Sequence, residues 1–215
     1  MEELIQFDKH LLLALNGSDS AFLDSVIMTL TTATTWIPLY IALLYVVISV
    51  NRNVRDVLLI LAAAGLCVAL AGAVDDEIVK PLVARWRPTH DPEIGHLVDI
   101  VDGYRGGNYG FFSAHAANTF SIAVFFSLLM RQRLFTCFMV AWSLTNCYTR
   151  LYLGVHYPGD ITVGLLWGGL VGWVAYRFFY CRLAIPAKYP MRYCYVPMAV
   201  LMLTLLFALG KAAMA

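Results

Sequence analysis

Charge is scarce in this chain: Asp, Glu, Lys and Arg make up 13% of 215 residues, where a soluble domain carries about 25%. Fifteen basic residues against fourteen acidic ones leave a formal net charge of +1. That balance points to no nucleic-acid partner. The five cysteines are an odd number with no CxxC pair, so a disulfide framework and a zinc site both fit poorly. Cys67, Cys137 and Cys147 lie inside apolar runs and read as small buried hydrophobes. The opening MEELIQFDKH is acidic where a signal peptide is basic, so no cleavable leader is expected. Internal repeats, low-complexity segments and linkers are missing too, and a single domain over 1–215 is expected.

Apolar residues are what the chain has in excess. They form 60% of it, with a mean hydropathy of +0.71. The length suits one helical bundle in a bilayer. Six spans are expected, at 22–50, 54–76, 114–131, 133–151, 160–180 and 194–212, each near the ~20 apolar residues a bilayer needs. TTATT interrupts the first, its hydroxyls placed to bond back onto the helix. The third opens with His115, Asn118 and Ser121, which predicts burial against other helices or a cavity. Ahead of them, ELIQFDKHLLLAL spaces Leu4, Phe7, Leu11 and Leu15 helically over 3–15. It is too short to span and reads as an amphipathic interfacial helix. The expected class is therefore an all-α integral membrane protein, six transmembrane helices plus that N-terminal helix.

The longest segment outside the spans is 77–113, rich in proline and glycine. A structured loop of this length usually has a function. One set of connections carries Arg52, Arg55, Arg131, Arg133, Arg177, Arg182, Lys188 and Arg192. The other set carries Lys80, Arg85, Arg87, Arg105 and Arg150. The second set belongs to chemical motifs. Discounting it places the first set in the cytoplasm and the motifs and both termini outside.

Three pieces then share one membrane face. KPLVARWRP places Lys80 and Arg87 seven residues apart. Snorkelling at a headgroup boundary would account for such cations, but arginine is also the residue that grips phosphate in bidentate fashion. FSAH holds Ser113, a candidate N-cap before a helical run, with His115 in the first turn. The N–H groups of such a terminus make an anion site. TRLYLGVHYPGD holds Arg150, His156 and Asp160. His156 and Asp160, four residues apart, can meet on one face, and Pro158 suits a first helical turn. An aspartate that merely caps a helix beside a structural histidine is the plainer reading. A carboxylate that fixes the imidazole tautomer and stabilises its charged form, freeing the other nitrogen to attack, is the chemical one. Taken together, the pieces supply what a phosphate ester needs: neutralised oxygens and a proton for the leaving group.

The ordered pieces resemble the signature motifs of the type 2 phosphatidic acid phosphatase family: K-x6-RP, PSGH and SR-x5-H-x3-D. The likeness covers residues 80–160. Phe112 stands where the family has proline, Ala114 where it has glycine, and Thr149 where it has serine. These departures bear on phosphate-loop geometry and substrate preference. The resemblance implies that His156 attacks phosphorus to form a phosphohistidine, while Asp160 orients and charges it. His115 would protonate the leaving oxygen and then help activate water. Lys80, Arg87, Ser113, Arg150 and the backbone N–H near Ala114 would hold the phosphoryl oxygens. Arg85 would be an extra contact outside the motif. The family needs no metal or cofactor, and none is expected here. His90, Asp91, Glu93, His96 and Asp99 match no metal-site spacing and read as a loop, within 89–110, that meets a lipid headgroup. The glycines of GYRGGNYG read as tight turns.

The resemblance thus implies a lipid phosphatase of the bacterial inner membrane with its site facing the periplasm. Its partners would be the bilayer and a lipid phosphate: lipid A, undecaprenyl diphosphate, phosphatidylglycerol phosphate or phosphatidic acid. The stretch from RPTHDP to SAHAANTF resembles members from Bacteroidetes-like bacteria, some of which act on lipid A. An undecaprenyl-diphosphate phosphatase or a phosphatidylglycerophosphatase are the alternatives within the family. A non-catalytic phospholipid-binding or transport protein is the alternative outside it. Oligomeric state is not legible.

Overall fold

Small residues recur every fourth position along two segments of this sequence. Gly164, Gly168 and Gly172 form one row, and Ser113, Ala117 and Ser121 the other. In the computed structural model these rows face each other across helices α6 (Ala114–Met130) and α8 (Pro158–Tyr180). A Cβ on Gly164, Gly168 or Gly172 would sit 2.7, 2.3 or 2.4 Å from the carbonyl oxygen of Ser113, Ala117 or Ser121. Only glycine permits that backbone approach, the packing device of helices in lipid. Against this pair stand α4 (Val54–Ala73) and α7 (Arg133–Tyr152), with α9 (Met191–Ala213) packed on α7 and α3 (Ile37–Val50) against α9. Two short helices, α1 (Glu2–Leu15) and α2 (Ala21–Thr31), precede them. The structure describes residues 2–182 and 188–214. Residues 1, 183–187 and 215 of the expected domain lie outside the described residues.

The bundle is apolar on its outside. Leu58, Leu166, Trp173, Leu203 and Phe207 are exposed, while Asp56, Asp75, Ser143, Asn146, Arg150 and Asp160 are buried. Such an inversion suits a hydrocarbon surround. Ala33–Val50, Val54–Val83, Pro158–Tyr180 and Met191–Ala213 are each long and apolar enough to cross a membrane. Ala114–Met130 is apolar but shorter. Arg133–Tyr152 has the length but carries Thr136, Ser143, Thr145, Asn146, Thr149 and Arg150. Among the described residues there is no strand, and Trp86 and Tyr109 form an isolated antiparallel bridge.

Two helix boundaries differ from the sequence reading. The expected first span, 22–50, is broken: α2 ends at Thr31, and a 3₁₀ turn, Ala33–Trp36, leads into α3. The hydroxyls do bond back, Thr29 Oγ1 to Ser25 O and Thr32 Oγ1 to Met28 O, both at 2.8 Å. Thr32, however, turns extended (ψ 120°), and Pro38 opens α3 in its first turn. The second span runs on past 76. It continues through a π-helical turn, Val74–Val79, into α5 (Lys80–Val83) and stops where Ala84 turns left-handed at φ 47°. Pro81 has no N–H for an α-helical bond, and the wider turn before it accommodates that loss. Lys80 is therefore on a helix, not in a loop.

The 51–53, 131–132 and 188–190 connections meet at the end away from the motifs. The Tyr189 hydroxyl accepts from Asn51 Nδ2 at 2.7 Å, and Tyr189 O accepts from Gln132 Nε2 at 2.5 Å. At the opposite end α1 lies across the motif loops with its polar side inward. Lys9 and Leu12 are buried, whereas Leu4 and Phe7 are 72% and 64% exposed.

Candidate active site

His156 sits in the short turn between α7 and α8, almost fully buried. Its Nδ1 faces Asp160 Oδ2 at 3.6 Å, too long for a hydrogen bond as it stands. Its Nε2 lies 3.3 Å from Arg87 Nη1. Burial pushes the His156 pKa well below 6.5, and Arg87, Arg150, Lys80 and His115 push it the same way. The imidazole is thus neutral at physiological pH. Asp160 faces it, while the surrounding cations disfavour its charged form.

Arg87 is held from three sides. Its Nε donates to Tyr109 O at 3.0 Å, and its Nη1 reaches Val155 O at 3.3 Å. Gly106, at φ 70°, and Gly110 let the loop close over it, since a Cβ at either would lie 2.9 or 2.8 Å from the Arg87 side chain. The glycines expected only to turn the chain also make room for this arginine. Burial, with the Arg150 charge nearby, lowers the Arg87 pKa, so two guanidinium groups that repel one another lie in the same buried region. An anion between them would be strongly favoured.

Arg150, 2% exposed at the end of α7, donates from Nη1 to Thr31 Oγ1 at 2.6 Å and from Nη2 to Tyr104 OH at 3.1 Å. Thr149 Oγ1 lies 3.2 Å from the same Thr31 hydroxyl, and the His115 ring lies near the Thr31 backbone. The break between α2 and α3 is what presents Thr31 to all three. Nothing in the motif spacing pointed to Thr31 or Tyr104; the polar TTATT was the available signal.

Ser113 caps α6, its Oγ accepting from Ala116 N at 3.5 Å, and its N–H donates to Asp160 O at 3.1 Å. That bond ties the N-termini of α6 and α8 together and fixes Ala114 and His115 beside the arginines. Phe112, where the family motif has proline, is buried against Ala71 and Ala117. Lys80 is not free: its Nζ pairs with the fully buried Asp75 at 2.8 Å and with Asp76 at 2.5 Å.

Arg85 departs from expectation. It turns away from the arginine pair, donating from Nη1 to Asp160 Oδ1 at 2.7 Å and from Nη2 to Asp8 Oδ2 at 2.6 Å. Asp91, Glu93 and Asp99 are likewise engaged. Asp91 accepts from Tyr157 OH at 2.7 Å, Glu93 accepts from Lys9 at 2.5 Å, and the Asp99 N–H donates to Asn16. The loop thereby fastens α1 to the bundle. Among the described residues no three His, Cys, Asp or Glu side chains converge as metal ligands.

A neutral buried imidazole beside a pair of arginines suits a phosphate, whose negative oxygens both cations can neutralise. Set at one end of an apolar bundle, this chemistry defines a membrane phosphatase that takes its substrate from lipid. The chain belongs to the PAP2 superfamily, whose pattern matches residues 53–183. It is 42% identical over 178 residues to a lipid A 4'-phosphatase of Bacteroides thetaiotaomicron, covering 82% of this chain and 78% of that one. A lipid A 4'-phosphatase of Porphyromonas gingivalis is 34% identical over 185 residues, 85% of this chain and 77% of its own. A decaprenylphosphoryl-5-phosphoribose phosphatase of Mycobacterium tuberculosis is 38% identical over 125 residues, 58% of this chain and 62% of that one. No solved structure gives a significant match.

Proposed function

We propose that this protein removes a phosphate from lipid A, and that His156 is its nucleophile. The observation that carries the substrate is the extent of the likeness: both lipid A 4'-phosphatases align over more than four-fifths of this chain. In this reading the phosphate enters between Arg87 and Arg150, with Lys80 exchanging part of its pairing to Asp75 and Asp76 for a phosphoryl oxygen. Ser113 and the backbone N–H groups near Ala114, at the start of α6, complete the cradle. His156 Nε2 attacks phosphorus, and Nδ1–H closes on Asp160 as positive charge develops. His115 gives the leaving sugar oxygen its proton and later takes one from water. No metal or cofactor enters this scheme.

The whole of 1–215 acts as one catalytic domain in this reading, with α3, α4, α6, α7, α8 and α9 crossing the inner membrane. Helix α1 lies at the periplasmic interface, Leu4 and Phe7 in lipid and Lys9 against the protein, an orientation that their exposures support. A polyprenyl-linked phosphate, undecaprenyl diphosphate included, is the second reading, favoured by the mycobacterial relative.

The test is phosphate release by the purified protein in detergent with EDTA. Substrates are bis-phosphorylated lipid A, undecaprenyl diphosphate, phosphatidylglycerol phosphate and phosphatidic acid, and mass spectrometry locates the phosphate lost from lipid A. Lipid A is expected to be the fastest, losing its 4'-phosphate. A polyprenyl substrate with the higher kcat/KM would transfer the assignment, and lipid binding without release would point to a binding or transport protein.

The acid limb of kcat/KM offers a separate check. Because the His156 pKa lies below 6.5, the attacking base is already unprotonated at pH 6.5. Acidification through that value should not cost activity on its account. Arg87→Met removes a cation that disfavours the imidazolium, so the limb should move to higher pH. A profile from about pH 5 to about pH 8 measures both; a wild-type limb at 6.5, or one that Arg87→Met leaves in place, contradicts the neutral-base assignment.

A further inference from the structure

We propose that Asp8 and Arg85 are positioning residues that hold the Asp160 carboxylate in the orientation His156 needs. This rests on the reading of His156 as nucleophile. Asp160 has two oxygens and one productive orientation. Its Oδ2 accepts from Tyr157 N at 2.9 Å and faces His156. Rotation of the carboxylate would break that alignment. Arg85 prevents it by donating to Oδ1 at 2.7 Å, and it supplies the counter-charge for a side chain with no exposed surface. A buried carboxylate without such a partner is costly.

Arg85 is itself fixed. Its guanidinium lies 4.1 Å from the centre of the Tyr157 ring, and its second nitrogen is bound by Asp8 Oδ2 at 2.6 Å. The other Asp8 oxygen accepts from Gly159 N at 2.7 Å, at the helix end where a carboxylate is favoured. Gly159 makes this possible, since a Cβ there would lie 2.8 Å from Asp8 Oδ2. A relay therefore runs from α1 through Asp8 and Arg85 to Asp160 and His156. It explains why Arg85, two residues from a phosphate-gripping arginine, is turned away from the phosphate site with both terminal nitrogens committed to carboxylates.

The experiment compares kcat, KM and the inhibition constant for inorganic phosphate in the full-length protein, with lipid A as substrate. Arg85→Met should lose about 10–100-fold in kcat, the usual cost of an orienting partner, while KM and phosphate inhibition stay within about twofold. Arg87→Met, by contrast, should weaken phosphate inhibition. Asp8→Asn should lower kcat in the wild type but have less than about a twofold effect in the Arg85→Met background, because the two act through one carboxylate. Asp8→Glu should restore part of the loss. If Arg85→Met does not fold, Asp8→Asn and Gly159→Ala carry the same test, since both detach Asp8 from its place.

Full kcat in folded Arg85→Met, or in both Asp8→Asn and Gly159→Ala, would overturn the proposal. So would phosphate inhibition weakened as much by Arg85→Met as by Arg87→Met, which would make Arg85 a phosphate contact. His156→Ala separates the two levels. An inactive His156→Ala beside a fully active Arg85→Met removes the relay alone, whereas turnover by His156→Ala removes the nucleophile assignment and the relay with it.

Discussion

His156→Ala should reduce phosphate release to the detergent background, a loss of about 10⁴-fold or more, on the scale of losing the nucleophile in other covalent hydrolases. The geometry leaves no substitute. His115 is the other histidine near Arg87 and Arg150, but its ring lies against the Thr31 backbone. Lys80 is paired to two aspartates. Rapid acid–base quench after mixing with ³²P-labelled lipid A should trap a protein-bound phosphate that is acid-labile and base-stable in the wild type, and none in His156→Ala. Asp160→Asn should retain lipid binding and lose about 10³–10⁴-fold in kcat, as when an orienting carboxylate becomes an amide that favours the wrong tautomer. The 3.6 Å gap between Asp160 and His156 bears on this size. The bond forms as the imidazole gains charge, so its loss falls on kcat and not on KM. A labelled phosphoenzyme in His156→Ala, or an Asp160→Asn whose loss lies wholly in KM, would reject this assignment.

That the motif residues gather at one end of the bundle was legible from their order and spacing: Arg87 lies beside His156, His156 faces Asp160, and Ser113 bonds Asp160. What was not legible was direction. Arg85 and Arg87 are two residues apart in a non-helical stretch, and nothing in their order says that one turns to His156 and the other to Asp160. Nor does spacing reveal that Asp8, 152 positions before Asp160, closes the far side of that ion pair. The polar TTATT announced an irregularity in the first apolar run. Its outcome, a break that delivers Thr31 to Arg150, depends on α7 lying alongside. Helix α1 was legible from its periodicity, but the use of its polar side was not. Asp8 and Lys9, on that polar side, attach it to the bundle.

Gly168→Ala should destabilise the protein and inactivate it, although Gly168 lies two turns below the reacting groups. The added carbon would stand 2.3 Å from Ala117 O and 2.9 Å from Ala117 Cα, and backbone cannot swing aside as a side chain can. The helices must part, at a cost of about 1–3 kcal/mol for one added carbon in a packed interior, or roughly 2–4 °C of melting temperature per kcal/mol at this chain length. Gly65→Ala is the control. Nothing lies within 4 Å of a Cβ at that position of α4, so only helix propensity changes, and in the stabilising direction by up to about 1 kcal/mol. Activity should divide the two variants more sharply than stability does. The Ser113 N–H to Asp160 O bond of 3.1 Å is the last contact of the same α6–α8 seam. Parting the helices at Gly168 moves the start of α6, with Ser113 and His115, relative to Asp160 and His156. Since misplacement by about 1 Å can cost 10²-fold in rate, folded Gly168→Ala should fall by about that factor at temperatures well below its melting point, while Gly65→Ala keeps wild-type turnover. Equal activity in the two variants would mean that the site tolerates movement of α6, and the positioning role given to the glycine row would then be wrong.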